Sequence, residues 1–308
     1  MIFKKPLFWN NINFLSLFFL PLSLITLILN ILKSLLITPY RFNVPIICVG
    51  NIFIGGTGKT PLSIYIYNLL KKKRFSPAII RKYYHSHLDE INLTKSKTKA
   101  FFSEKKRSMS ILKAEQKKNN VIIMDDGLQD VSIIKDLSII CFNSIDLVGN
   151  GLLLPAGPLR DSLKKLNDCQ IAVINGKRNV PFEKKLKMIS NNIKIYQSIY
   201  KIKNAKKYKG KKIFAFAGIG NPNNFFNSLK SYGLIIEDTI SFPDHYNYSK
   251  NEIKNIISRA KKKKLKVVTT EKDYFRIKKL GLKNIEYISI DLKIKNHKSF
   301  EHEVLKNL

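Results

Sequence analysis

The stretch "VPIICVGNIFIGGTGKTPLSIYIYNLLKKK", residues 44–73, constrains this chain more than any other. Its first seven residues are apolar and β-branched between Pro45 and Gly50, the pattern of a short buried strand. Gly55, Gly56 and Gly58 follow, and then Leu62, Ile66, Leu69 and Leu70 recur at helical spacing, so a helix starts near Thr60. Strand, glycine turn and helix form the context that a phosphate-binding loop requires. The strict loop pattern is G-x-x-x-x-G-K-[ST]. Gly58, Lys59 and Thr60 fill its last three places, and Phe53 stands where the first glycine belongs.

The loop Phe53, Ile54, Gly55, Gly56, Thr57, Gly58, Lys59 and Thr60 is therefore the candidate nucleotide site. Its glycines let consecutive N–H groups turn inward around a phosphate, and the helix N-terminus adds partial positive charge. Lys59 can bridge terminal phosphates, and the Thr60 hydroxyl can hold Mg²⁺. A nucleotide machine also needs an acid at a strand end. "VIIMDDGLQD" places Asp125 and Asp126 directly after four apolar residues, within reach of a Mg²⁺ shell. Alone, two such acids read equally well as a helix cap or a turn. Beside the glycine loop, they point to phosphoryl transfer.

Further strand patterns fall at 76–84, 137–143 and 170–175, with helix-like or loop segments between them. That alternation predicts an α/β fold, a mainly parallel sheet of phosphate-loop NTPase type with helices on both faces. A lysine-rich stretch near 200–212 precedes a second strand–glycine–helix run, "KIFAFAGIGNPNNFFNSLKSYG", and "KVVTTEKDYFRI" follows at 266–277. The expected organisation is an N-terminal apolar helix over 1–37, a kinase domain over 38–207 and a smaller C-terminal α/β domain over 208–308. The boundary between the last two lies near 205–211.

Between Lys5 and Lys33 there is no charged residue, which is long enough to cross a bilayer. Pro21 kinks but does not forbid a helix there, and Asn13, Ser16, Ser23 and Asn30 interrupt it mildly. The segment 8–36 spans a membrane, lies in its interface or packs on the protein; membrane contact is the expectation. The net charge of +33 suits nucleic acid or an anionic membrane surface, and a genome-wide bias toward Lys, Ile and Asn explains part of it. No basic motif interleaved with aromatics marks a nucleic-acid module, and no nucleic acid is expected as a partner. Cys48, Cys141 and Cys169 are too widely spaced for a zinc site or a disulfide framework and read as buried free thiols.

Six blocks, "VGNIFIGGTGKTP", "DDGLQD", "GNGLLLPAGPLRDSL", "FAGIGNPNNFF", "FPDHYNYS" and "TTEKD", occur in the order seen in the tetraacyldisaccharide 4'-kinases, and the chain resembles that family from its apolar helix to about residue 275. The family's phosphate loop also lacks the first glycine. The resemblance implies two α/β domains with the active site in the cleft between them. It implies transfer of the ATP γ-phosphate, with Mg²⁺, to the 4'-hydroxyl of a lipid-linked glucosamine disaccharide 1-phosphate, giving lipid IVA. It also implies work at the cytoplasmic side of the inner membrane, with no obligate protein partner.

Site residues follow from the same resemblance. Lys59 and Thr60 keep the roles derived above. Asp125 and Asp126 match the family's strand-end acids at Mg²⁺, and Arg160 of "PLRD" is a phosphate contact. Asp161 stands where the family has a metal-binding glutamate, one methylene longer. Asp130 replaces the histidine of "DDGFQH". Asp89, in "HLDE", aligns with the catalytic aspartate, and His245, in "FPDHY", with the catalytic histidine. A carboxylate backed by an imidazole suits removal of the attacking hydroxyl's proton. Around Asp89 the family's "SRGYG" turn reads "RKYYH", with Tyr84 in the tyrosine position and the glycines gone.

Overall fold

The computed structural model describes residues 5–85, 88–244 and 246–308. The chain forms two compact units. The larger is built on an eight-stranded sheet, made of β1 (Ile46–Gly50), β2 (Pro77–Lys82), β3 (Phe101–Glu104), β4 (Val121–Asp125), β5 (Leu137–Asn143), β6 (Ile171–Asn175), β7 (Lys194–Ile202) and β12 (Ile290–Ile294). Their order is β12-β7-β6-β5-β1-β4-β2-β3. From β7 through β3 every pairing is parallel, with Val49 opposite Asp125 and Ile140 opposite Gly50.

Strand residues alternate between two cores, as the pleat dictates. Ile46, Cys48, Ile122, Met124 and Ile140 join one cluster. Ile47, Val49, Ile123 and Ile139 join the other, with Leu62, Ile66 and Leu70 of α3 (Lys59–Lys72) and Phe300 and Val304 of α10 (His297–Leu305). A sheet covered on both faces explains the near-continuous apolar runs of the central strands. β1 lies between β4 and β5, so the loop leaving it opens where α/β sheets take their ligands, outside the carboxyl ends of the strands. Cys48, Cys141 and Cys169 are buried and free, and burial pushes the Cys48 thiol up to about 11.

The smaller unit gathers Tyr84–Ser96 and Lys201–Asp291. Its sheet has β8 (Lys212–Ala217), β9 (Ile235–Ser241), β10 (Lys266–Thr270) and β11 (Ile285–Ile288), all parallel, in the order β11-β10-β8-β9. Around it lie α4 (Leu88–Lys97), α7 (Pro222–Ser231), α8 (Lys250–Lys262) and α9 (Glu271–Ile277). This grouping departs from the expected boundaries twice. Asp89 belongs with the smaller unit, because the chain leaves the large sheet after β2 and returns at β3. Residues Leu292–Leu308 belong with the larger one, because β12 pairs beside β7 and α10 packs in the core of the large sheet.

The apolar segment 8–36 is not one helix. A single turn at Leu7–Trp9 precedes α1 (Phe14–Phe18) and α2 (Leu20–Leu36). Asn13 and Ser16 cap α1 reciprocally, and Pro21 sits in the first turn of α2, where its missing N–H costs nothing. With 17 residues, α2 rises about 25 Å against a hydrocarbon core of about 30 Å. Among the described residues no helix is long and apolar enough to cross a membrane.

Candidate active site

The residue after β1 organises the larger unit's site. Asn51 is fully buried, and its Nδ2 donates to the Phe53 carbonyl at 2.7 Å and to Thr57 Oγ1 at 2.9 Å. Its Oδ1 accepts from Lys59 Nζ at 3.0 Å and from Arg160 Nη2. Its carbonyl accepts from Gln129 Nε2 and again from Arg160. One buried amide thus shapes the loop from inside and aims both cations.

Phe53 is buried at the foot of the loop and forms an antiparallel bridge with Leu159, while the Ile54 N–H donates to the Pro158 carbonyl at 2.9 Å. The "PAGPLR" block therefore continues the loop's edge as a short ladder. Phe53 keeps a negative φ, so the backbone needs no glycine there, and its ring fills core space beside Leu159. Gly58 is different. It caps α3 with φ +90°, and a Cβ there would sit 2.9 Å from Tyr200 Oη and 3.0 Å from Asn175 Nδ2. Both backbone and space demand glycine.

Thr60, on the first turn of α3, donates its hydroxyl to Asp125 Oδ2 at 2.9 Å. Asp125, at the end of β4, is fully buried and also takes Ser63 Oγ at 3.3 Å and Arg81 Nη1 at 3.0 Å. Asp126 turns away from the strand with φ +57°, a conformation that Asp tolerates better than most residues. Its carboxylate meets Arg160 at 2.9 Å and Lys59 at 3.6 Å. Burial opposes charge on Asp126, but Lys59, Arg160 and Arg81 outweigh it and hold the carboxyl far below the usual range. Arg107 grips the Asp126 carbonyl through Nη2 and Asp130 through Nη1. Asp130 thus anchors the arginine that fixes the acidic turn.

Asp161 lies next to this network in sequence but outside its hydrogen bonds. Its carboxylate accepts from the Ser162 N–H at 2.8 Å, and burial raises its pKa.

Three polar groups of the apolar segment anchor it onto the loop that carries Arg160. Ser23 Oγ donates to the Leu153 carbonyl at 2.8 Å and accepts from the Ala156 N–H. Asn30 Nδ2 donates to the Arg160 carbonyl, and Trp9 Nε1 to the Pro155 carbonyl. The rest of α2 presents Leu24, Ile28, Leu35 and other apolar side chains to the outside.

A second cluster forms in the smaller unit. Asp89, on the first turn of α4, is buried and bound by Arg276 Nη2. Arg276 Nη1 reaches Asp273 Oδ1 at 2.9 Å and the Gly218 carbonyl at 2.7 Å. Asp273 is itself fixed by the Gly218 N–H, Thr270 Oγ1 and Tyr248 Oη. Lys272 lies 2.9 Å from Glu90 and 3.6 Å from both Asp89 and Asp244. Burial opposes charge on Arg276 and Lys272, yet these carboxylates raise both pKa values. His245 lies outside the described residues, as does His87.

One network brings together Lys59, Thr60, Asp125, Asp126 and Arg160, all expected at the site from the sequence. Sequence reading misses Asn51, Ser63, Arg81, Arg107, Gln129, Lys272 and Arg276. Arg81 did carry a signal, a charge at the end of an apolar strand.

Hydroxyl and carboxylate oxygens are the donors Mg²⁺ prefers, and Thr60 with Asp125 offers such a pair. Among the described residues no group of three His, Cys, Asp or Glu side chains gathers to hold a metal unaided. Such a site needs phosphate oxygens and water to complete the shell, as Mg²⁺ sites in kinases do. The buried Arg160 Nε has no hydrogen-bond partner among the described residues, which suits an arriving anion.

The family model described as LpxK, tetraacyldisaccharide-1-P 4'-kinase, matches residues 15–308. A tetraacyldisaccharide 4'-kinase of Pelagibacter ubique (strain HTCC1062) is 38% identical over 313 residues, covering 99% of this chain and 98% of that one. One of Rickettsia akari (strain Hartford) is 35% identical over 324 residues, covering 98% and 96%. The crystal structure of LpxK from Aquifex aeolicus in complex with ATP superposes with a TM-score of 0.73 at 22% identity, covering 95% of this chain and 99% of that one, a likeness of fold.

Proposed function

The chain belongs to the tetraacyldisaccharide 4'-kinase family of lipid A biosynthesis, and from that premise we propose how its residues carry out phosphoryl transfer to the 4'-hydroxyl of a tetraacyldisaccharide 1-phosphate. The donor is ATP, held by the loop from Phe53 to Thr60. The observation that carries this reading is the paired network in which Lys59 and Arg160 converge on Asp126 and Asn51 while Thr60 and Asp125 bond each other.

In this reading Lys59 leaves Asp126 for the terminal phosphates when they arrive. Its 3.6 Å separation from Asp126 makes it a loosely held cation. Arg160 adds its unpartnered Nε to the phosphate oxygens. Thr60 and Asp125 would hold Mg²⁺, with Asp126 and Asp161 as further carboxylates for it. When bound, the ion neutralises charge on the β- and γ-phosphates. Asp89 takes the proton of the attacking hydroxyl, and His245 is the second proton-handling group. Arg276 and Lys272 fix the Asp89 carboxylate.

The acceptor's acyl chains stay in a bilayer, so the enzyme must come to it. The outer face of α1 and α2 is the surface for that contact, lying in the interface with its apolar side chains inserted. The excess of basic residues adds attraction to anionic lipid, at the cytoplasmic side of the inner membrane where ATP is present.

The test is incubation with γ-labelled ATP and tetraacyldisaccharide 1-phosphate. Label in the lipid supports the proposal. Label only in free phosphate points to a nucleotide hydrolase, and no transfer at all overturns the assigned donor site.

A further inference from the structure

Arg81 stands beside the nucleotide loop, in contact with two side chains of the candidate metal site. Its Nη1 donates to Thr60 Oγ1 at 3.1 Å and to Asp125 Oδ2 at 3.0 Å, the two side chains offered to the metal. The arginine side chain is 5% exposed and that of Asp125 is 0% exposed, so water screens the group little. Thr60 already donates its hydrogen to Asp125. Of its two lone pairs, one takes Arg81 and one stays available. The ligand oxygen is thus usable, but a fixed positive charge adjoins it.

Other cations lie close by. Lys59, Arg81 and Arg160 stand around Asp125 and Asp126. A divalent cation approaching Thr60 and Asp125 alone meets the Arg81 guanidinium at close range, where Coulomb repulsion is strong. A triphosphate adds the negative charge that draws the ion in.

We propose that Arg81 is a positioning residue that aligns Thr60 with Asp125 and excludes a free divalent cation until the nucleotide's phosphates are in place. The inference rests on the phosphate-loop reading above. Binding is then ordered: metal enters with the nucleotide or after it, never before, and the nucleotide does not need the metal to bind.

The experiment uses the full chain in detergent and Mn²⁺ alone as probe, with free Mn²⁺ read by electron paramagnetic resonance. The wild-type protein should leave Mn²⁺ free at submillimolar concentration and take it up only when a non-hydrolysable ATP analogue is added. The analogue should still bind in EDTA. Arg81→Gln keeps hydrogen-bonding capacity but not charge, and should bind Mn²⁺ without nucleotide more tightly by about tenfold or more, as removal of a unit charge a few ångströms away implies. Arg81→Lys should restore exclusion. A merely structural role would lower the melting temperature of both variants without opening the site to Mn²⁺. Tight Mn²⁺ binding by the nucleotide-free wild type overturns the proposal, and so does a folded Arg81→Gln protein with no gain. If Arg81→Gln does not fold, Arg81→Lys and the EDTA binding of wild type decide: loss of exclusion with lysine, or loss of nucleotide binding in EDTA alone, overturns it. A protein that binds no analogue with or without metal overturns the phosphate-loop reading itself.

Discussion

Arg276 holds Asp89 with one end of its guanidinium and Asp273 with the other, so a carboxylate on α4 and one on α9 share a single cation. Both acids are buried, and the planar fork matches two acceptors at once. Removing Arg276 leaves two buried carboxylates without it, a loss of the order of 3–5 kcal/mol. Arg276→Met should therefore destabilise the chain strongly in urea denaturation. Adding Asp89→Asn should recover part of the loss. A double variant as unstable as the summed singles would show that the two residues are not coupled.

Lys59→Ala should abolish transfer while the protein stays folded. The lysine is 14% exposed and its ion pair with Asp126 is long at 3.6 Å, while Arg160 still neutralises that acid. Circular dichroism should report an unchanged fold, and turnover at saturating ATP should fall to background. A retained rate would remove Lys59 from the phosphates.

Asp126 makes an acid-side prediction. Its pKa is depressed in the folded chain, because three cations outweigh its burial. The unfolded carboxyl titrates near about 4. A depressed folded pKa adds stability that is fully present above the unfolded value and is lost as pH falls below it toward the folded value. Asp126→Asn suits the positive φ and removes the titration. Wild type should exceed the variant in stability at pH 7, and the difference should shrink steadily as pH is lowered below about 4. Urea midpoints across that range measure it, and a constant difference would contradict the pairing.

The exposed face of α2 should decide membrane affinity. Leu24, Ile28 and Leu35 point outward, whereas Ser23 and Asn30 hold the loop that carries Arg160. Deleting the helix would disturb both functions. Replacing the three outward residues with Glu should release the protein from vesicles containing anionic lipid and raise KM for the lipid acceptor, with little change in KM for ATP. Sedimentation with vesicles and steady-state kinetics check it. Unchanged sedimentation would move the contact elsewhere.

What the sequence makes legible is what local chemistry decides. Gly58, Lys59 and Thr60 are readable because one short loop must do one task. Central strands such as β1 and β4 are readable because both faces are buried. β9, with its alternation of exposed and half-buried residues, and β7, which carries lysines, are hidden because a partner strand decides their pairing. Asn51 is equally hidden: an Asn after a strand is ordinary until Lys59, Arg160 and Gln129 are seen to meet it. The segment 8–36 misleads by its composition, since several of its polar atoms are anchors and its continuity is broken before Phe14 and at Phe19. The placement of Asp89 fails for a topological reason, because a short excursion between β2 and β3 belongs to a different unit.

That placement changes what is expected of Asp89 and His245. Lys272 lies 3.6 Å from both Asp89 and Asp244, so the buried acid is tied to the residue just before His245 within one unit. The proposed roles make the aspartate and the histidine two groups acting on one proton. Loss of an acid–base group costs a factor of about 10² to 10⁴ in rate. Groups acting as a unit are not additive. Asp89→Ala and His245→Ala should each lower kcat within that range with modest change in KM for ATP. The double variant should be little worse than the worse single one. Lys272→Met, which cuts the tie while leaving both groups present, should lower kcat less than either. Steady-state kinetics of the four variants with the lipid acceptor check this. Fully multiplicative losses would show independent roles, and a wild-type rate for Asp89→Ala would remove the carboxylate from the chemistry.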